Sequence, residues 1–331
     1  MKRSKRHLTF AGHLMVDLLL FAAALLIFAY FHHVRPQPIP DEGILIPPVI
    51  DTETDSTNTD TDFPTDTENK DSSEEKEPTW AEKFSEKFSE TVRKTETSYQ
   101  SPNCAIFVEK HSESIGGSEV TYYVADIYIT DISCFRTAFS SSSGYEPVLN
   151  IAERNNAIVA ISGDYYAIHR TTSVIRNGRL YREGNKGDVC VLYSNGEMDV
   201  IAKNSFDTAQ VVAAGAYQTW DFGPNLLNNG QAINDFSDYS SISGRNPRTA
   251  IGYYEPGHYC FVLVDGRQSG YSSGLTLSQM SSLFEELGCK EAYNLDGGQS
   301  AVMTFQGKWA NQPYKNGRNV SDIIYIGEPE S

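Results

Sequence analysis

The stretch Tyr293-Asn294-Leu295-Asp296-Gly297-Gly298-Gln299-Ser300 constrains this chain more than any other. A short apolar strand from Glu291 to Leu295 ends abruptly in Asp-Gly-Gly. Side chains alternate faces along a strand, so Asn294 and Asp296 point one way and Leu295 the other. Two glycines then let the backbone turn and present bare amide N–H groups to a ligand. The residues predict a carboxylate, a carboxamide and a hydroxyl (Asp296, Asn294 and Ser300) beside an anion-accepting loop at Gly297 and Gly298. An ordinary Asp-Gly turn is the plainer reading of the same residues.

Further segments share this design. Ala157 to Ile161 is an apolar strand running into Ser162-Gly163-Asp164-Tyr165-Tyr166. Arg245-Asn246-Pro247-Arg248-Thr249 is an Arg-rich turn entering a strand, and Phe261 to Val264 ends in Asp265-Gly266-Arg267. With Arg318-Asn319-Val320-Ser321-Asp322 and the closing strand Ile323 to Ile326, these segments, in this order, resemble the phosphodiester glycosidase family over roughly residues 100–328. The chain departs from the family pattern at two places. The family usually has a third Gly where Gln299 stands, and often Asn-Gly-Gly where this chain has Ser162-Gly163-Asp164.

The resemblance implies that the Asp296-Gly297-Gly298 loop and Ser300 line a catalytic pocket, with Asp164, Arg248, Asp265 and Arg267 beside it. A sugar 1-phosphodiester presents a negative phosphate and develops positive charge at its anomeric carbon. Arginine suits the phosphate, because its planar fork pairs with phosphate oxygens bidentately. A carboxylate suits the anomeric centre as nucleophile, base or electrostatic stabiliser. The chain offers Arg248, Arg267 and Arg318 for the first task, and Asp164, Asp265 and Asp296 for the second, with Asp296 the first choice. The expected function is a membrane-anchored, extracytoplasmic hydrolase cleaving the glycosyl-phosphate bond of sugar-1-phosphodiesters in cell-surface glycans. The alternative is a catalytically silent module binding wall or capsule glycans, for which Gln299 is the main opening.

Gly270-Tyr271-Ser272-Ser273-Gly274 matches G-x-S-x-G, but a hydrolase elbow needs its Asp and His later in the chain. All seven histidines precede residue 260, so this segment is read as a loop. His169 and His258 stand isolated in sequence and are read as core or surface residues. No EF-hand, zinc or P-loop pattern is present. Neither a cofactor nor a nucleic-acid partner is expected, and loop carboxylates leave a structural Ca²⁺ open.

Ahead of these motifs lies a different kind of sequence. Lys2, Arg3, Lys5 and Arg6 precede a mostly apolar run from Leu8 to Phe31, which as a helix spans about 36 Å, enough to cross a bilayer. The flanking cations place the N-terminus inside, and Asp17 is expected to reach water near the cytoplasmic interface. A cleaved signal peptide is the competing reading, but the run ends Phe28-Ala29-Tyr30-Phe31-His32-His33, a poor cleavage site, so residues 1–31 are expected to form a basic stub and transmembrane anchor. Residues 32–79 are expected to form a disordered tether: 41–79 alone carry 13 acidic residues against two lysines and few large apolar side chains. Over 80–98, Trp80, Phe84, Phe88 and Val92 recur every fourth residue and predict an amphipathic helix docked on the domain that follows.

Residues 99–331 read as one α+β domain: mixed, largely antiparallel sheet with a few helices. Val174 to Leu180 contains a hairpin with an Asn177-Gly178 turn, and a second turns at Asn195-Gly196. One helix is expected near Pro147 to Asn155, and another begins at Thr276, capped by Gln279, and stops at Gly288. Of the five cysteines, Cys190, Cys260 and Cys289 sit in or beside apolar strands, and a Cys104–Cys134 disulfide is left open.

Overall fold

A computed structural model describes residues 10–30, 42–47, 77–141, 144–169 and 171–329. Its scaffold is two antiparallel sheets packed face to face. The larger has seven strands in the order 291–294, 248–255, 258–264, 118–129, 104–115, 98–100 and 93–94. The smaller has five: 308–309, 303–305, 159–162, 322–326 and 135–139. All strand ladders among the described residues are antiparallel.

The central strands are apolar on both faces, and their period of two sorts the side chains into layers. On 118–129, Tyr123, Ala125, Ile127 and Ile129 face the core shared between the sheets, where they join Phe261 and Leu263 of the next strand and Ile161, Ile324 and Ile326 of the smaller sheet. The alternate residues Val120, Tyr122, Val124, Val262 and Val264 face outward and are covered by the helix Leu277–Glu286. Its Thr276–Gln279 capping box forms as the sequence predicts. The helix Val148–Arg154 covers the far face of the smaller sheet, over Ala160, Ile323 and Tyr325.

Two smaller sheets flank this sandwich. One contains the hairpin Val174–Arg176 and Arg179–Arg182, whose turn residues Asn177 and Gly178 both take positive φ (52° and 71°), matching the primed turn that an Asn-Gly pair favours. The other pairs 189–193 with 198–201 and 216–220.

In two places the structure differs from the sequence expectations. The Trp80 stripe docks but does not continue as a helix over 80–98. Only Trp80–Lys83 is helical, with a capping box at Thr79 and Glu82. Phe84 then packs in the core against Tyr128 and His258. From Ser89, whose N–H bonds the Ser101 carbonyl, the chain follows the sheet edge and supplies the strands 93–94 and 98–100. Pairing with an open edge satisfies more backbone groups there than an isolated turn of helix could. The second difference lies in the tether. Ile44–Leu45 adds a strand to Arg179–Leu180, and Ile46 is buried against Ile175, Val189 and Val191. This short apolar island escapes the acidity around it; 48–76 lie outside the described residues.

Phe10–Ala29 is a single helix, and its window Gly12–Ala29, with mean hydropathy 2.2, is long and apolar enough to cross a membrane. All five cysteines are buried free thiols, and Cys104 contacts Ser101 and Glu328.

A buried ion cluster ties the flanking hairpin to the smaller sheet. Arg176 donates to Asp164 at 2.9 Å and to Asp322 at 3.2 Å, with all three side chains out of solvent. Removing one partner from such a cluster leaves uncompensated buried charge, so Arg176→Met is expected to cost about 3–5 kcal/mol. Lys83→Met, which breaks the more exposed pair with Glu255, is expected to cost less than about 1 kcal/mol. Urea denaturation of both variants measures this; equal losses would contradict the assignment.

Candidate active site

The strand ends meet where the two sheets approach each other. The Asp296 N–H bonds the Gly163 carbonyl at 3.2 Å, and the Ser162 hydroxyl donates to the Asp296 carbonyl at 3.0 Å. Gly163 cannot carry a side chain, because a Cβ there would stand 2.4 Å from the Asp322 carboxylate. Gly298, at φ +63°, donates its N–H to the Pro247 carbonyl and closes the turn after Asp296. Three of the motifs therefore pack against one another through their backbones.

Asp296 is the acidic residue at the centre. Its Oδ2 accepts from the Ser300 hydroxyl at 2.6 Å and from Arg318 at 2.8 Å, while Arg318 Nε donates to Ser300 Oγ at 2.5 Å. The three side chains form a closed triangle. Oδ1 takes no hydrogen bond from the described residues. The Arg318 guanidinium also lies 4.9 Å from the Tyr165 ring centre. Tyr165 adopts a positive φ of 64°, a conformation a bulky residue keeps only where its surroundings enforce it. Burial pushes the Asp296 carboxyl upward, and Arg318 and Ser300 oppose that push by stabilising the charged form.

Asp296 borders a cavity of about 780 Å³, walled by Tyr165, His169, Lys186, Phe222 and Tyr239 among others. None of these five was picked out by sequence reasoning as a site residue. Tyr165 lies inside a recognised motif, but His169 and Lys186 carry no local signal; only the fold brings them beside Asp296.

The other expected site residues lie near this centre, but their polar groups are turned to structural partners. Asp164 is fully buried: it takes Arg176 on one oxygen, together with the Tyr166 N–H, and the Asp221 N–H on the other. Asp265 accepts from Asn311, Tyr271 and Gln312, fixing two neighbouring loops, and does not line the Asp296 cavity. Arg248 donates to the carbonyls of Leu275, Ile242 and Gly244. Arg267 grips the Asn246 side-chain oxygen and lies over the Tyr314 ring, with its guanidinium beside Gly298. Asn294 is buried and donates to the Gly223 carbonyl. Gln299, where the family pattern has glycine, donates to the Gly317 carbonyl and so braces the loop that carries Arg318. Ser272 of the G-x-S-x-G match donates to the Asp265 carbonyl within a loop.

A family profile described as phosphodiester glycosidase matches residues 155–327, the segment that holds Asp164, Asp296, Ser300, Arg318 and the cavity wall. The chain belongs to the phosphodiester glycosidase family. Over 204 residues it is 30% identical to the SPbeta prophage-derived uncharacterized protein YomE of Bacillus subtilis (strain 168), a match covering 59% of this chain and 31% of that one. The chain thus spans about a third of that relative's length. The fold is similar to the catalytic domain of zebrafish N-acetylglucosamine-1-phosphodiester alpha-N-acetylglucosaminidase, solved as a form auto-inhibited by its pro-peptide. That similarity has a TM-score of 0.56 at 18% identity and covers 72% of this chain and 88% of the zebrafish domain. Among the described residues, no group of three or more His, Cys, Asp or Glu side chains is placed to hold a metal ion.

Several carboxyls around the site are shifted in one direction. Burial pushes Asp221 up to about 6 and, at the edge of the large sheet, Glu291 up to about 7. A carboxyl that holds its proton more tightly in the folded chain than in the unfolded one favours folding while protonated. That contribution is lost as pH rises through the folded value. His169, held down to about 4 by burial, acts in the opposite sense, but only below its ordinary value of 6.5. The melting temperature is therefore expected to fall between about pH 6.5 and pH 8 in a calorimetric series. A rise across that range would contradict these shifts.

Proposed function

We propose that this protein is a membrane-anchored hydrolase that cleaves the glycosyl-phosphate bond of sugar-1-phosphodiesters in cell-surface glycans. The observation that carries the reading is Asp296, held on one oxygen by Ser300 and Arg318 and bordering the cavity, inside the segment that matches the family. An anomeric carbon losing phosphate gains positive charge, and a fixed carboxylate in a partly buried pocket stabilises that charge without reorganising. Phosphate leaves as a stable anion, so the site has little need of a strong general acid. Arg318 orients Asp296 and favours its ionised form against the push of burial, and Ser300 completes the triangle. Asp164 acts one step back, by fixing the strand end from which Asp296 hangs.

Phe10–Ala29 is proposed as the anchor, with the basic residues before it inside and the sandwich domain extracytoplasmic. Its C-terminal neighbour, the strand at Ile44–Leu45, already belongs to the globular domain.

The test is turnover by the full chain in detergent on a panel of sugar-1-phosphodiesters, with free sugar as the readout. Asp296→Asn keeps the shape and removes the charge, so kcat is expected to fall by about 10²-fold or more with the melting temperature little changed. Arg318→Lys keeps a charge but loses the fork that spans Asp296 and Ser300, and a smaller loss in kcat is expected. An Asp296→Asn protein with unchanged kcat, or one that loses activity only by unfolding, would overturn the catalytic assignment. Tight glycan binding without turnover by the unmodified chain would instead favour a silent binding module.

A further inference from the structure

We infer that Lys186, with His169 as its hydrogen-bond acceptor, is the cation that receives the substrate phosphate in the Asp296 cavity. The inference rests on the glycosyl-phosphodiester reading and assigns the phosphate subsite within it.

A phosphodiester needs a cation in the same cavity as the catalytic carboxylate, and the arginines of the motifs are committed elsewhere. Arg248 is buried on three carbonyls, Arg318 is paired with Asp296, and Arg267 holds Asn246 beside Gly298 and does not line the Asp296 cavity. Lys186 lines the cavity that Asp296 borders. Its Nζ stands 2.7 Å from His169 Nε2 and forms no ion pair with any described residue. An ammonium has three N–H donors and no acceptor, so the imidazole must be neutral and accept at Nε2. Two donors are then left for a ligand. Burial favours that neutral form, and it also lowers the Lys186 ammonium from its ordinary value, against the opposing pull of the nearby Asp221 carboxylate.

The lysine is also held in place. Its own N–H and that of Gly187 both bond the Asp221 carboxylate, at 2.7 and 3.0 Å, and the Asp221 N–H bonds Asp164. Both Asp221 oxygens are thereby engaged by backbone. His169 is fixed in turn, stacked on Phe222 and edge-on to Tyr165. Of the other carboxylates on the wall, Asp188 accepts from the Lys203 N–H, and Asp238 sits on the short turn Ser237–Tyr239. A half-buried ammonium held rigidly, beside a carboxylate whose two oxygens are already engaged by backbone N–H groups, is a site poised for a further anion.

The experiment uses the full chain in detergent, with inorganic phosphate as the probe and the His169 ring resonances, from selectively labelled histidine, as the readout. Phosphate is expected to shift those resonances saturably in the unmodified protein. Lys186→Met should abolish the shift, and Lys186→Arg, which keeps the charge, should retain it. On a sugar-1-phosphodiester, Lys186→Met is expected to raise KM about tenfold or more with a smaller effect on kcat. A Lys186→Met protein that responds to phosphate as the unmodified chain does, or turns over with unchanged KM, overturns the inference while leaving the hydrolase reading standing. The converse result, a Lys186-dependent phosphate response without turnover of any phosphodiester, supports the anion site and removes the hydrolase. Loss of the response in Lys186→Arg as well as Lys186→Met would show that the loop, not the charge, is responsible, and would also overturn it.

Discussion

The contact of Arg176 with both Asp164 and Asp322 is the constraint from which the rest of the site follows. Arg176 comes from the flanking hairpin, Asp322 opens the strand 322–326 of the smaller sheet, and Asp164 lies just past the end of the neighbouring central strand. Arg176 also donates to the Thr219 carbonyl, so one side chain joins three sheets. Two carboxylates share one guanidinium out of water, and burial beside Asp164 pushes the Asp322 carboxyl upward against the pull of Arg176. Such an arrangement is a poor way to gain stability, since charges are costly to desolvate. Its consequence is positional: Gly163 is packed against Asp322, and the Gly163 carbonyl receives the Asp296 N–H.

From this cluster, the two sides of the cavity are set by two separate chains of contacts. One runs through Gly163 to Asp296, and on through Ser300 and Arg318. The other runs from Asp164 to the Asp221 N–H, and from the Asp221 carboxylate to the loop that carries Lys186. A carboxylate and an ammonium are thus positioned from one buried origin, each on a loop braced by a rigid sheet. The segment that matches the family contains both groups, and the sandwich supplies the stiffness that a charge-stabilising site requires.

Much of the fold was legible because its determinants are local. The alternation in strand 118–129 and the Asn177-Gly178 turn each work within a few residues, as does the Thr276 cap. The Trp80 stripe misled because a four-residue period records which side chains are buried, not which backbone buries them; a vacant sheet edge claimed the chain after Phe84. At the candidate site, the structure brings together Asp296, Ser300 and Arg318 from two of the strand-end motifs. Motifs alone could not separate carboxylates that face a ligand from those that hold the scaffold, since Asp164 and Asp265 occupy the same kind of Gly corner as Asp296. Arg176 was invisible for another reason: its partner Asp322 is 146 residues away, and no local pattern encodes such a pair.

Charge stabilisation by Asp296 requires cleavage of the bond between the anomeric carbon and oxygen, not of the bond between phosphorus and oxygen. Turnover of a sugar-1-phosphodiester by the full chain in ¹⁸O-labelled water decides it, with mass spectrometry of both products. Charge stabilisation at the anomeric centre by Asp296 predicts the label in the anomeric hydroxyl of the released sugar and none in the phosphate. Label in the phosphate would mean attack at phosphorus, and would contradict the account.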